Sequence, residues 1–103
     1  MPLRVKLMLE DLNKMSNKPI YFSEHSKQQM KLRGALAEEV TLAIRSANWQ
    51  TAKQNRLRCR FQFPFNAISP MNQRFYPFKT IEVVFAEKPE RIEVITVKVY
   101  YYN

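Results

Sequence analysis

The sequence predicts an α+β domain in which two or three N-terminal helices pack on a twisted antiparallel sheet of three to four strands. Three observations carry this reading. Apolar residues recur at helical spacing in the first half of the chain, the period changes to two from Arg56 onwards, and only short turns separate the strands that follow. Parallel pairing needs longer crossovers, so a meander is expected. A chain of 103 residues, 46% of them hydrophobic, closes one core and not two. Residues 1–18 read as an N-terminal helix or arm, and residues 19–103 as a single domain.

Val5, Met8, Leu12 and Met15 fall on one face of a helix over residues 3–15, with Lys6, Glu10, Asp11 and Asn13 around the rest of the wheel. Ser16 to Pro19 is a turn. Ile20, Tyr21 and Phe22 then have the β-propensity of a brief strand. Ser23 is an N-cap and Gly34, the only glycine, a left-handed stop, which brackets a helix between them. A further helix runs from Ala37 to Ala47, where Val40, Ala43, Ile44 and Ala47 form one buried face and Leu36 extends it back by a turn. Glu38 and Glu39 near its start and Arg45 near its end complement the helix dipole. Trp49 follows as a core or hinge plug.

From Arg56, the residues Leu57, Cys59, Phe61, Phe63 and Phe65 alternate with Arg56, Arg58, Arg60 and Gln62, so one face is buried and the other carries a row of arginines. Pro64 is expected to limit this strand, and Pro70 to Pro77 to form a loop presenting Phe75 and Tyr76 beside Arg74. A second strand covers residues 79–86. A third runs from Arg91 to Tyr102 with Ile95, Val97, Val99 and Tyr101 inward and Thr96, Lys98 and Tyr100 outward. The expected core thus joins Leu57, Cys59, Phe61 and Phe63 to Val40, Ile44, Val83, Phe85, Val97 and Val99.

Composition narrows the function. Seventeen Lys and Arg against nine Asp and Glu give a formal charge of +8, a surplus that attracts polyanions. One cysteine, Cys59, excludes an internal disulfide and reads as a small core hydrophobe, and with a single histidine there are too few soft ligands for a zinc site. Apolar runs fall well short of the ~20 residues that span a bilayer, so a cytoplasmic protein without a targeting segment or membrane contact is expected. No Gly-rich phosphate loop, nucleophile triad or carboxylate pair stands out, and no cofactor is implied.

Positions i, i+4 and i+8 of a helix lie close to one line, which puts His25, Gln29 and Arg33 on a shared face. A titratable imidazole and a permanent cation then point the same way. The pattern Ile20-x-Phe22-Ser23-x-His25-x4-Met30-x2-Arg33-Gly34, followed by Glu38-Glu39-Val40 and Ile44 and by the strand Ile95-Thr96-Val97, resembles a widespread family of short bacterial domains of unknown function. The resemblance covers roughly residues 19 to 102. Where members of that family commonly carry alanine and arginine, this chain has Ser26 and Gln29. The family looks related to the small toxin nucleases of the RelE and barnase-like fold class, which implies RNA as substrate and an acidic antitoxin protein as partner.

Metal-independent RNA cleavage needs a base for the 2′-OH, an acid for the leaving 5′-oxygen and cations on the phosphorane. His25 is the one side chain suited to proton transfer near neutrality. Arg33 would bind the scissile phosphate beside it, with Arg56, Arg58, Arg60, Lys98 and Tyr100 as RNA-binding groups on the sheet. The alternative is a non-catalytic RNA-binding or protein-interaction domain with the same fold.

Overall fold

A computed structural model of the chain describes residues 17–103. The helix expected over residues 3–15 lies outside them. In chain order the elements are β1 (Ile20–Phe22), α1 (Glu24–Arg33), α2 (Ala37–Ser46), β2 (Gln50–Thr51), β3 (Leu57–Ile68), β4 (Phe75–Glu87) and β5 (Ile92–Tyr102). They build one five-stranded sheet in the order β1-β5-β4-β3-β2. This corrects the expected architecture. The sheet is mixed and dominates the domain, and it is not the antiparallel sheet of three or four strands of the RelE or barnase type. β1 pairs with β5 in parallel, Ile20 opposite Ile92 and Phe22 opposite Val94. The crossover argument holds between consecutive strands, but β1 and β5 are separated by nearly the whole domain, ample chain for a parallel return. β2, with two residues, is too short to leave any alternation in the sequence.

Both helices cover the same face of the sheet, α1 over β5 and α2 over β4 and β3. Cross-strand rows build that face: Cys59, Val83 and Val97; Phe61, Ile81 and Val99; Phe63, Lys79 and Tyr101. Val40, Ala43 and Ile44 of α2 close over it, all nearly inaccessible. Trp49 meets Phe85 edge-on at 5.0 Å and donates its indole N–H to the Ile44 carbonyl at 2.7 Å. Lys79 is buried in this face. Its ammonium donates to the Gly34 carbonyl at 2.9 Å and to Glu39 Oε1 at 2.8 Å, and lies 5.0 Å from the centre of the Phe65 ring. A buried charge is tolerable only when paired and hydrogen-bonded in this way. Gly34 ends α1 at φ 84°, and a Cβ there would run into Tyr101 Oη and lie 2.8 Å from Pro70 Cγ, so both backbone and space demand glycine.

Five local expectations change, the first being that β4 begins at Phe75, so Phe75, Tyr76 and Pro77 lie in a strand paired with the end of β3 and not in a loop running to Pro77. Leu36 does not extend the α2 face; it is the N-cap residue and 59% exposed, with its N–H held by Glu39 Oε1 at 3.0 Å. Pro64 does not end β3, which runs on to Ile68 through a register shift between Pro64 and Ala67, where Asn66 takes a φ of 48°. A second shift on β4 and β5 pairs Val84 with Thr96 but Phe85 with Val94, which reverses the inward parity of β5. Ile92 and Val94 are therefore fully buried while Ile95 is only half-buried. Phe61 is half-buried as well, because β2 ends before reaching it and no described strand flanks β3 there.

Candidate functional site

The first turn of α1 is closed by two serines. Ser26 N–H donates to Ser23 Oγ at 3.0 Å, and Ser26 Oγ donates back to the Ser23 carbonyl at 2.8 Å, which satisfies a side chain that is fully buried. The capped helix presents His25, Gln29 and Arg33 along one line, and that line is turned onto the edge of β5. Arg33 Nη1 donates to the Val97 carbonyl at 2.8 Å, and Gln29 Oε1 accepts the Val97 N–H at 2.8 Å. Hydrogen-bonded pairs on β5 alternate, and Val97 lies beyond the three residues that β1 covers, so its N–H and C=O point away from β4. Two helix side chains thus complete the ladder where no described strand lies alongside.

This fixes the state of His25. Gln29 must turn its oxygen towards the Val97 N–H, so its amide nitrogen faces His25 Nε2 at 2.9 Å and donates to it. The imidazole then accepts at Nε2 and carries its proton on Nδ1, an assignment made by the network. The ring is exposed at the surface, but the lone pair that a general base would use is occupied.

Three of the expected site residues do come together. Arg33, Lys98 and Tyr100, with Met71 and Val99, line a hollow of about 200 Å³ at the outer edge of β5. His25 is not part of its lining. Arg33 spends one of its five N–H donors on Val97 and has the others for a ligand. By the same alternation as Val97, the N–H and C=O of Val99 point to this side. Sequence reasoning missed Met71, which arrives from the β3–β4 turn because Pro70 folds against Gly34.

Lys98 and Tyr100 belong to the sheet face opposite the helices. Its rows run Arg58, Val84 and Thr96; Arg60, Glu82 and Lys98; Gln62, Thr80 and Tyr100; Pro64, Phe78 and Tyr102. Tyr100 and Phe78 are exposed, and Phe78 stacks on Tyr102 with centroids 5.9 Å apart. The arginine row is not uniform. Arg60 Nε donates to Glu82 Oε1 at 2.5 Å; the hydrogen bond and charge of that buried carboxylate push the guanidinium pKa up. Arg58 is half-buried and leaves its Nε inside without an acceptor among the described residues. Arg56 precedes β3 and is half-buried. Glu82 went unnoticed in the sequence, although it is the single acid in the apolar run from Ile81 to Ala86.

Cys59 lies in the core, where burial pushes its thiol up to about 12, so it is not a thiolate nucleophile at neutral pH. Among the described residues no group of three His, Cys, Asp or Glu side chains converges to hold a metal ion, and no helix is long and apolar enough to cross a membrane. Comparisons with protein-family models, curated proteins and solved structures find no match to this chain.

Proposed function

We propose that this chain is a non-catalytic domain that binds single-stranded RNA on the sheet face opposite its helices. The observation that carries the reading is the hollow shared by Arg33, Lys98 and Tyr100, two of which lie on the sheet face that also carries the exposed Phe78 ring and Arg58. Cations along a groove follow the phosphate backbone, and exposed rings stack on unpaired bases whatever their identity. Arg33 supplies a planar fork for a phosphate, Lys98 a point charge and Tyr100 a stacking surface. The net charge of +8 adds the long-range attraction that brings a polyanion to the surface.

The ribonuclease implied by the family resemblance needs His25 to take and return a proton beside the bound phosphate. Its Nε2 is engaged by Gln29, and the ring does not line the hollow, so the geometry favours binding over cleavage. A cytoplasmic location goes with this reading, since RNA and a reducing environment that keeps Cys59 a thiol are found together there.

Titration of a fluorescent oligouridine at several salt concentrations tests the proposal. Log affinity is expected to fall with log salt by ~0.7 per phosphate contact, and Lys98→Ala to lower that slope by about one contact. Absence of affinity at low salt overturns RNA binding. RNA cleavage by the purified protein that disappears in His25→Ala would establish the ribonuclease instead.

A further inference from the structure

The sheet has a second edge, on β3, and its geometry differs from that of β5. The Ala52 N–H donates to the Arg56 carbonyl at 2.7 Å, and Gln50 stands opposite Arg58, so even-numbered residues of β3 turn their N–H and C=O groups towards β2. β2 stops there. Continuing the alternation, Arg60 and Gln62 turn both of their backbone groups to the same side, where no described strand receives them. Pro64, two residues on, has no N–H and closes the slot. Ser46, Ala47, Asn48 and Gln50 form its other wall, and the space between holds about 400 Å³.

We propose that this slot is a strand-addition site for an extended, acidic segment of a partner protein. A strand laid antiparallel to β3, in line with β2, would exchange backbone hydrogen bonds with Arg60 and Gln62. Residues directly opposite one another in a sheet share a face, which sets the chemistry of the guest. The position opposite Phe61 points to the helix side and fills the gap between the half-buried Phe61 ring and Ala47, so it is apolar. The positions opposite Arg60 and Gln62 point to the other face, where Arg58 and Arg60 have Glu82 as the one carboxylate in their cross-strand rows, so they are acidic. A second copy of this chain suits the slot poorly, because each copy brings a charge of +8 and its own arginine row. The slot lies at the opposite edge of the sheet from the hollow of the RNA reading, although its outer positions point to the same face.

The test uses the full chain, ¹⁵N-labelled, titrated with an acetylated and amidated peptide of alternating Glu and Val. Amide shifts and slowed hydrogen exchange are expected at Arg60 and Gln62. Gln62→Pro removes one outward N–H at a position where an edge strand accepts proline, and should weaken binding roughly tenfold, the equivalent of one good backbone hydrogen bond. The same peptide N-methylated at alternate residues should lose binding to the unaltered protein, which decides the matter if Gln62→Pro does not fold. Equal binding of a Lys-Val peptide overturns the acidic guest, and shifts confined to Lys98 and Tyr100 overturn the location. Concentration-dependent protection of Arg60 and Gln62 without peptide assigns the slot to a second copy and overturns the proposal. Oligouridine affinity unaltered in Gln62→Pro keeps the two sites distinguishable.

Discussion

The two long edges of the sheet meet the same problem and answer it differently. On each side a strand of two or three residues covers only the start of a long one, β1 over the start of β5 and β2 over the start of β3. On β5 the next outward-pointing residue, Val97, is received by α1, which supplies an acceptor from Gln29 and a donor from Arg33. On β3 the next two, Arg60 and Gln62, face a groove and are limited only by Pro64. An unpaired edge invites another strand, and proline and charge are common ways of blunting it. The difference shows that the polar face of α1 is used to finish a sheet edge. It also gives Gln29 a reason: an arginine there has no acceptor for the Val97 N–H.

Proline is the sharpest probe of this asymmetry. Val97→Pro removes the N–H that Gln29 receives and alters a fully buried side chain, and should cost ~3 kcal/mol or more by denaturant melting. Gln29→Leu leaves that N–H without a partner in a half-buried place, and about 1 to 3 kcal/mol is expected. A loss as small as that of an exposed glutamine elsewhere would show that water completes the β5 edge and that α1 does not.

Alkaline pH separates the buried face of β3 from its open edge. The folded thiol of Cys59 holds its proton up to about 12, against an ordinary value of 9.0, because it is buried. Between those values the unfolded chain binds fewer protons than the folded one. The contribution is therefore complete below pH 9.0 and lost as the pH rises towards 12. Denaturant midpoints measured on either side of pH 9.0 should fall more steeply in the parent than in Cys59→Ala. Tyr101, which burial also shifts upwards, contributes equally to both proteins. The smallest effect belongs to the open edge itself. Gln62→Pro should change stability by no more than ~0.5 kcal/mol, as for a surface position outside the ladder. A cost comparable with that of Val97→Pro would show that β3 is covered after all, and the contrast between the edges would fail.

What the sequence determined by itself was local. Ser23 and Gly34 bracket α1 because capping and a left-handed stop act within a few residues, and Cys59, Phe63, Val83 and Val97 are buried because alternation is a property of a single strand. The same logic placed His25, Gln29 and Arg33 on one face and Lys98 and Tyr100 on the open side of β5. Tertiary structure decided everything that depends on which segment lies beside which. The parallel return of β1, the shift that buries Val94 in place of Ile95, and the half-exposure of Phe61 all depend on pairings between residues far apart in the chain. So do the partners of the charged groups. Nothing near Lys79 in sequence announces Glu39 and the Gly34 carbonyl, nor does anything near Arg60 announce Glu82. Gln29 is the clearest case: its neighbours along the chain make it a surface residue, and only the docking of α1 against β5 makes it the acceptor that Val97 requires.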